Sequence, residues 1–327
     1  MASFLDGGCM KKGKLNKITD IDGLLVGHKT IQTGNYQTGV TFIRTQENIF
    51  HQKCVCGCSV LNGYGKTTGL LQIQELGTLE SYICLTNTLN VGIVQQALTE
   101  IMIQENEDLT SVNVVVGECN DSYLNDIRDC VLTKQDVFDA YLDCKKEFKC
   151  GSVGAGRGMS CFEMSGGIGS SSRVFKIDEK EYTLGVLVLS NFGLREQFLV
   201  EPVCLDDSHL TEEKGSIMMI IATDAPLSDR QLRRICNRMP IALSKTGSHM
   251  GNGSGDIAIA FTTHNKVGEE NLIHVYQLSE SKLNIVFDAA IDACYESIMN
   301  SLEDNERVQG NNGHIRYPLS QLKKSSI

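Results

Sequence analysis

The residues best able to do chemistry in this chain are not spaced as a familiar triad. His249 lies near Ser254, yet no serine sits in a GxSxG elbow. A hydroxyl can be activated in another way. A Ser, Thr or Cys at a chain's N-terminus carries its own base, because a free α-amine titrates at about pH 8 without tuning, near the ideal for proton abstraction at neutral pH. An internal residue reaches that position only if the chain cuts itself immediately before it. The junction Lys214-Gly215-Ser216-Ile217 has the features of such a cut. Residues 201–214 are acidic, lack an apolar period and read as an exposed loop with freedom to strain a peptide bond. Gly215 lets the backbone twist and leaves its carbonyl open to the Ser216 hydroxyl. The apolar run 217–222 would then fix the new terminus in the core.

Other candidates carry less. Gly63-Tyr64-Gly65-Lys66-Thr67-Thr68-Gly69 invites a phosphate-loop reading, but the Walker pattern needs Gly where Val60 stands, so a turn is the better account. Cys54, Cys56 and Cys58 alternate and would share one face of a strand. Zinc would want CxxC-type spacing and a second pair, so small buried thiols are expected and no metal. The seven histidines form no HxH or HxxxH pair. Asn252-Gly253-Ser254 matches a glycosylation sequon, which matters only in a secreted chain.

The elements that must position these residues follow from pattern. Apolar runs at 112–116, 182–189, 217–222 and 257–262 read as strands. Helical patterns cover 93–104, 134–148, 229–245 and 286–302. Thr133 with Asp136, and Ser228 with Gln231, fit capping boxes, and Gly247 fits a helix stop. Pro240 predicts a kink or early break in the third helix. The mixture is α/β or α+β. A length of 327 residues is ample for a hydrophobic core, and 41% hydrophobic with 21% charged residues excludes wholesale disorder. A net charge of −10 argues against a nucleic-acid or anionic-membrane surface. No run approaches a membrane span and no secretory leader is visible. The odd total of 13 cysteines then reads as reduced thiols in a cytoplasmic protein.

Blocks spread from Lys17 to Leu319 add a resemblance. They include Ile18-Thr19-Asp20-Ile21-Asp22-Gly23, Val116-Gly117-Glu118-Cys119-Asn120-Asp121, Gly151-Ser152-Val153-Gly154-Ala155-Gly156-Arg157-Gly158 and Ser190-Asn191-Phe192-Gly193. The most specific are Gly215-Ser216-Ile217, Ala222-Thr223-Asp224-Ala225-Pro226 and Gly251-Asn252-Gly253-Ser254-Gly255-Asp256-Ile257. In this order they resemble the L-aminopeptidase/D-esterase family (DmpA-like), which includes the β-peptidyl aminopeptidases. The resemblance implies an α+β fold, a four-layer αββα sandwich of the type shared with ornithine acetyltransferase. It implies one self-processing domain over 1–327, cut between Gly215 and Ser216 into an α chain of 1–215 and a β chain of 216–327. It further implies aminopeptidase activity on short peptides, amides or esters without a cofactor, and a homotetramer of αβ units.

Site residues carry over one by one. Ser216 matches the nucleophile for both the cut and turnover. Ser254 and Asp256 match the second hydroxyl and its carboxylate. Two residues apart on a strand, they face one side, so Asp256 can orient Ser254. Some members carry Glu there, one methylene longer. Asn191 matches the amide that donates to the oxyanion, and Glu118 the acid that receives the substrate's ammonium. Where some members place Tyr two residues after that acid, this chain has Asn120, a donor of shorter reach. Glu118 could alternatively pair with Arg128, and Asp256 could merely cap a turn. Two rival functions remain open: acyl transfer of the ornithine acetyltransferase type, which uses a Thr nucleophile, and a self-processed protein that binds peptides without turnover.

Overall fold

The computed structural model describes residues 10–199 and 215–322; the predicted acidic loop at 201–214 lies outside them. One sheet of four strands is ordered β1 (Leu25–Thr33), β2 (Tyr36–Arg44), β5 (Ile83–Asn87), β6 (Val115–Cys119). A second, of six, is ordered β4 (Thr78–Leu79), β3 (Lys53–Gly63), β12 (Gly255–Val267), β11 (Ser216–Thr223), β10 (Lys180–Asn191), β9 (Gly167–Ile177). Two small hairpins, β7 (Ser160–Cys161) with β8 (Met164–Ser165) and β13 (Val308–Gln309) with β14 (Ile315–Arg316), flank them. The helices are α1 (Leu70–Leu76), α2 (Val91–Glu105), α3 (Lys134–Leu142), α4 (Asp229–Cys236), α5 (Met239–Thr246), α6 (Leu283–Glu303) and α7 (Leu319–Leu322).

Two apolar cores explain the layering. On β11 every residue is buried. Met218, Ile220 and Ala222 join the core that the two sheets share with α2 and α3. Ile217, Met219 and Ile221 join the core under α4, α5 and α6. A strand covered on both faces needs a continuous apolar run, not an alternating one, and that is the sequence at this point. The result is α2/α3, sheet, sheet, α4/α5/α6: the expected αββα sandwich. Gly169 on β9 lets α6 approach, since a Cβ there would lie 1.8 Å from the Ser297 carbonyl oxygen.

Several sequence expectations hold in detail. Both capping boxes are present, at α3 and α4, and Gly247 closes α5 with φ +111°. The third helical pattern breaks into α4 and α5, with Pro240 in the first turn of α5, where its missing N–H costs nothing. Cys54, Cys56 and Cys58 lie together on β3 in the core, where burial pushes the thiols of Cys54 and Cys58 up to about 11. Two expectations shift. The helix predicted over 134–148 ends at Leu142, because Lys145 leaves to pair with Val26 of β1. The strand predicted at 112–116 begins only at Val115, since Asn113 is tied by its backbone and side chain to Glu80. It then continues to Cys119, which carries Glu118 into the sheet.

Candidate active site

Strand polarity gathers the predicted residues at one edge of the sandwich. β11 runs parallel to β12 with Ser216 opposite Gly255, and antiparallel to β10 with Ser216 opposite Asn191. Gly255 also faces Gly63, the last residue of β3. The starts of β11 and β12 therefore meet the ends of β3 and β10. The end of β6 packs across them from the other sheet, where the Cys119 thiol donates to the Leu189 carbonyl at 3.5 Å.

Ser216 is 6% exposed, and its Oγ accepts the Gly255 backbone N–H at 3.1 Å. Gly215 just before it has no room for a side chain: a Cβ would lie 2.4 Å from Phe192 Cα and 2.6 Å from the Asn191 carbonyl oxygen. Ser254 and Asp256 are fully buried, and the Ser254 hydroxyl donates to Asp256 Oδ1 at 2.6 Å. The two residues thus face one side, as their spacing requires. A bulge follows immediately: Asp256 pairs with Asn62 but Ile257 pairs with Val60, leaving Leu61 as the extra residue. Such a bulge re-aims side chains at the end of a ladder. Asn62 Nδ2 donates to the Gly251 carbonyl at 2.7 Å and Tyr64 N to the Ser254 carbonyl at 3.2 Å, so the turn before Ser254 is fixed from β3.

Glu118 is 2% exposed, with neutral donors around it in place of the Arg128 pairing weighed from sequence. Oε1 accepts the Lys66 backbone N–H at 2.9 Å, and Oε2 accepts the Thr88 hydroxyl. The glycine-rich loop after β3 thus cradles a carboxylate. A Cβ on Gly65 would come within 3.6 Å of Glu118 Oε1 and 3.9 Å of Gly255 Cα, so Glu118 sits close to the Ser216 partner strand. Burial first, with Glu118 and Asp256 nearby, pushes the Cys119 thiol far up.

Asn191 is held from both ends. Its Oδ1 accepts the Ser160 N–H at 2.8 Å, and its Nδ2 donates to the Asn120 carbonyl at 3.0 Å. An amide nitrogen carries two N–H groups, so one is left for an incoming oxygen. Asn120 serves through its main chain; its exposed side chain turns back to accept Ser122 N at 2.9 Å. Next to it, Asp121 is fully buried against Asn125 Nδ2 at 3.0 Å, and burial pushes its carboxyl up to about 7 against opposing hydrogen bonds from Thr38, Asn125 and Asn87.

The structure therefore brings Ser216, Ser254, Asp256, Asn191 and Glu118 to one edge. Four partners are not apparent from the residue pattern alone: the Gly255 N–H, the Lys66 N–H, Thr88 and Ser160. The glycines at 63, 65 and 255 were the available sign, since close backbone approach needs them. Among the described residues no group of His, Cys, Asp and Glu could hold a metal ion, and no helix is long and apolar enough to cross a membrane.

A buried strand that opens on Gly-Ser in the middle of an αββα sandwich defines an α+β protein of the Ntn-hydrolase fold. Comparisons agree. The L-aminopeptidase D-Ala-esterase/amidase of Ochrobactrum anthropi, described as a new variant among the Ntn hydrolase fold, superposes with a TM-score of 0.90 at 28% identity, covering 97% of this chain and 95% of that one. The PH0078 protein of Pyrococcus horikoshii OT3 gives a TM-score of 0.91 at 44% identity over 97% and 95% of the two chains. The β-peptidyl aminopeptidase BapA of Sphingosinicella xenopeptidilytica is 33% identical over 95% of this chain and 87% of its own. The profile of "Peptidase family S58" matches residues 16–316. The chain belongs to peptidase family S58, as a relative of its aminopeptidases.

Proposed function

We propose that this protein is a self-cleaving aminopeptidase whose nucleophile is Ser216. The observation that carries the reading is the placement of Ser216 at the first position of a fully buried strand, directly after a glycine, with Ser254–Asp256, Asn191 and Glu118 at the same edge. In maturation the Ser216 hydroxyl adds to the Gly215 carbonyl carbon. The C–N bond breaks as the C–O bond forms, giving an ester, and water hydrolyses that ester to a Gly215 carboxylate and a free Ser216. The released amine is then the base for turnover. It takes the hydroxyl proton as Oγ attacks a substrate carbonyl, and the leaving amine departs with a proton. Water next attacks the acyl-enzyme, returning Ser216 and releasing the N-terminal residue as an acid.

The other groups have distinct tasks. The free N–H of Asn191 donates to the oxyanion, a contribution typically of about 2.7–4 kcal/mol. The Ser254 hydroxyl, oriented by Asp256, relays protons beside Ser216. Glu118 receives the substrate's ammonium, which favours an unblocked N-terminus. Its neutral donors stabilise the carboxylate without cancelling its charge. The αβ units assemble as a homotetramer by family analogy. The αββα fold is compatible with acyl transfer, but Ser216 replaces the Thr of that chemistry.

The test is intact mass of wild type beside Ser216→Ala, followed by release of an amino acid from peptide amides. Two fragments meeting between Gly215 and Ser216 are expected in wild type, one chain in the variant, and turnover in wild type only. An uncut variant with full activity would overturn the assignment, and cut protein that binds a peptide amide without product release would favour a binding role.

A further inference from the structure

Beyond Asn191, on the side away from Glu118, a guanidinium is held ready. Arg316 of β14 donates through Nε to Ser160 Oγ at 2.7 Å, and the same Ser160 donates its N–H to Asn191 Oδ1. Its head group stacks 3.8 Å over the Tyr123 ring, which stacks on His314 at 4.4 Å with a 7° interplanar angle. His314 Nδ1 lies 2.8 Å from the Tyr123 carbonyl oxygen, so Tyr123 is itself fixed. Two contacts thus set the plane and direction of the fork, while neither Nη of Arg316 has a hydrogen bond among the described residues. Half-buried Arg195 adds a second positive charge, with Nη2 on the Glu163 carbonyl at 2.7 Å. Among the described residues Glu163 is the one carboxylate acting on both guanidiniums.

The charges are ordered along the sheet edge. Glu118 sits beside Gly255 of β12, Ser216 comes next on β11, Asn191 next on β10, and Ser160 with Arg316 beyond. A zwitterionic peptide has that polarity, ammonium at one end and carboxylate at the other. Lengths also fit. Arg316 Nε is at most roughly 9 Å from the Asn191 amide along the two Ser160 hydrogen bonds. A residue in extended chain spans about 3.5 Å, so one or two residues after the scissile carbonyl reach the fork.

We propose that Arg316 receives the free α-carboxylate of the substrate, making di- and tripeptides with an unblocked C-terminus the preferred class. The inference rests on Ser216 being the peptidase nucleophile. A carboxylate on a preorganised guanidinium fork is bidentate, which gives geometric selectivity as well as energy.

The experiment compares kcat/KM for a dipeptide and its C-terminal carboxamide in wild type, Arg316→Met and Arg316→Lys. Wild type is expected to prefer the acid at least about tenfold, mostly through KM. The Met variant is expected to erase that ratio and the Lys variant to keep part of it. A wild-type ratio near one overturns the proposal while leaving the peptidase reading intact. So does an equal fall on both substrates with the ratio kept, which would mean that Arg316 only props Ser160 and Asn191. Should the Met variant fail to fold, the Lys variant decides, since a charge without the fork must still lower the ratio. Ser216-independent release, or none from either substrate, overturns both readings.

Discussion

Glu118 is the residue whose chemistry is most exposed to a single substitution. Among the described residues its carboxylate is buried against donors that carry no charge, which leaves its charge to meet a substrate ammonium. Glu118→Gln keeps an oxygen for the Lys66 N–H but removes the charge. Hydrogen bonds to charged groups are worth about 1.5–3 kcal/mol, so kcat/KM for substrates with a free N-terminus should fall about 10- to 100-fold, chiefly in KM. Steady-state kinetics on a peptide amide would check this. A drop of equal size in kcat with KM unchanged would remove Glu118 from ammonium binding. The role of Asn120 is of another kind. Its identity suggested a side-chain donor, yet its main-chain carbonyl is what Asn191 touches. Backbone contacts of this sort leave no mark on residue type.

At the scale of elements, the proposed cut lies where two strands meet at a glycine. Gly215 lies against Phe192 and the end of β10. Gly215→Ala must push β10 and β11 apart at Asn191 or rotate the Gly215 carbonyl away from Ser216. The uncut chain should therefore persist, with processing slowed at least about tenfold, because small misplacements of reacting groups cost rate steeply. Intact mass followed over time would check it, and processing at the wild-type rate would contradict it. The element boundaries themselves were partly legible. Capping boxes and the proline break could be read because each is a local contest between neighbouring residues. The end of α3 and the start of β6 could not. They are set by Lys145 pairing with Val26 and by Glu80 capturing Asn113, contacts between segments far apart in sequence.

For the whole molecule, buried titratable groups should shape stability. Asp121 holds its proton up to about 7 when folded, against a usual 3.8. Between those values the unfolded chain has released a proton that the folded chain keeps, so stability falls as pH rises through the window. His28 acts oppositely. Burial lowers it to about 4 from 6.5, so the unfolded chain binds the extra proton there and stability rises with pH. Asp121→Asn isolates the first effect. Relative to wild type, its stability should gain progressively from pH 4 to pH 7 and stay higher above that. Urea denaturation at a series of pH values would check this, and a constant difference across the window would refute it.

The sequence by itself determined which segments are strands and helices, and it marked Gly-Ser ahead of an apolar run as a junction where a new terminus could be fixed in the core; the four-layer arrangement was implied only by the family resemblance. The spacing of Ser254 and Asp256 settled which side they share, because the period of a strand is two. What only the tertiary structure decided is how the strand ends meet. Glu118 and Arg316 are far from Ser216 in sequence, and no local rule relates them. Strand direction and register bring Glu118 to the edge where Ser216 stands, hydrogen bonds through Ser160 bring Arg316 beside Asn191, and the glycines at 65 and 255 leave room for the loop after β3 to pack there. Residue types specify which chemistry is available, whereas the distance and order of the charges come from pairings between segments that have no contact until the sandwich forms.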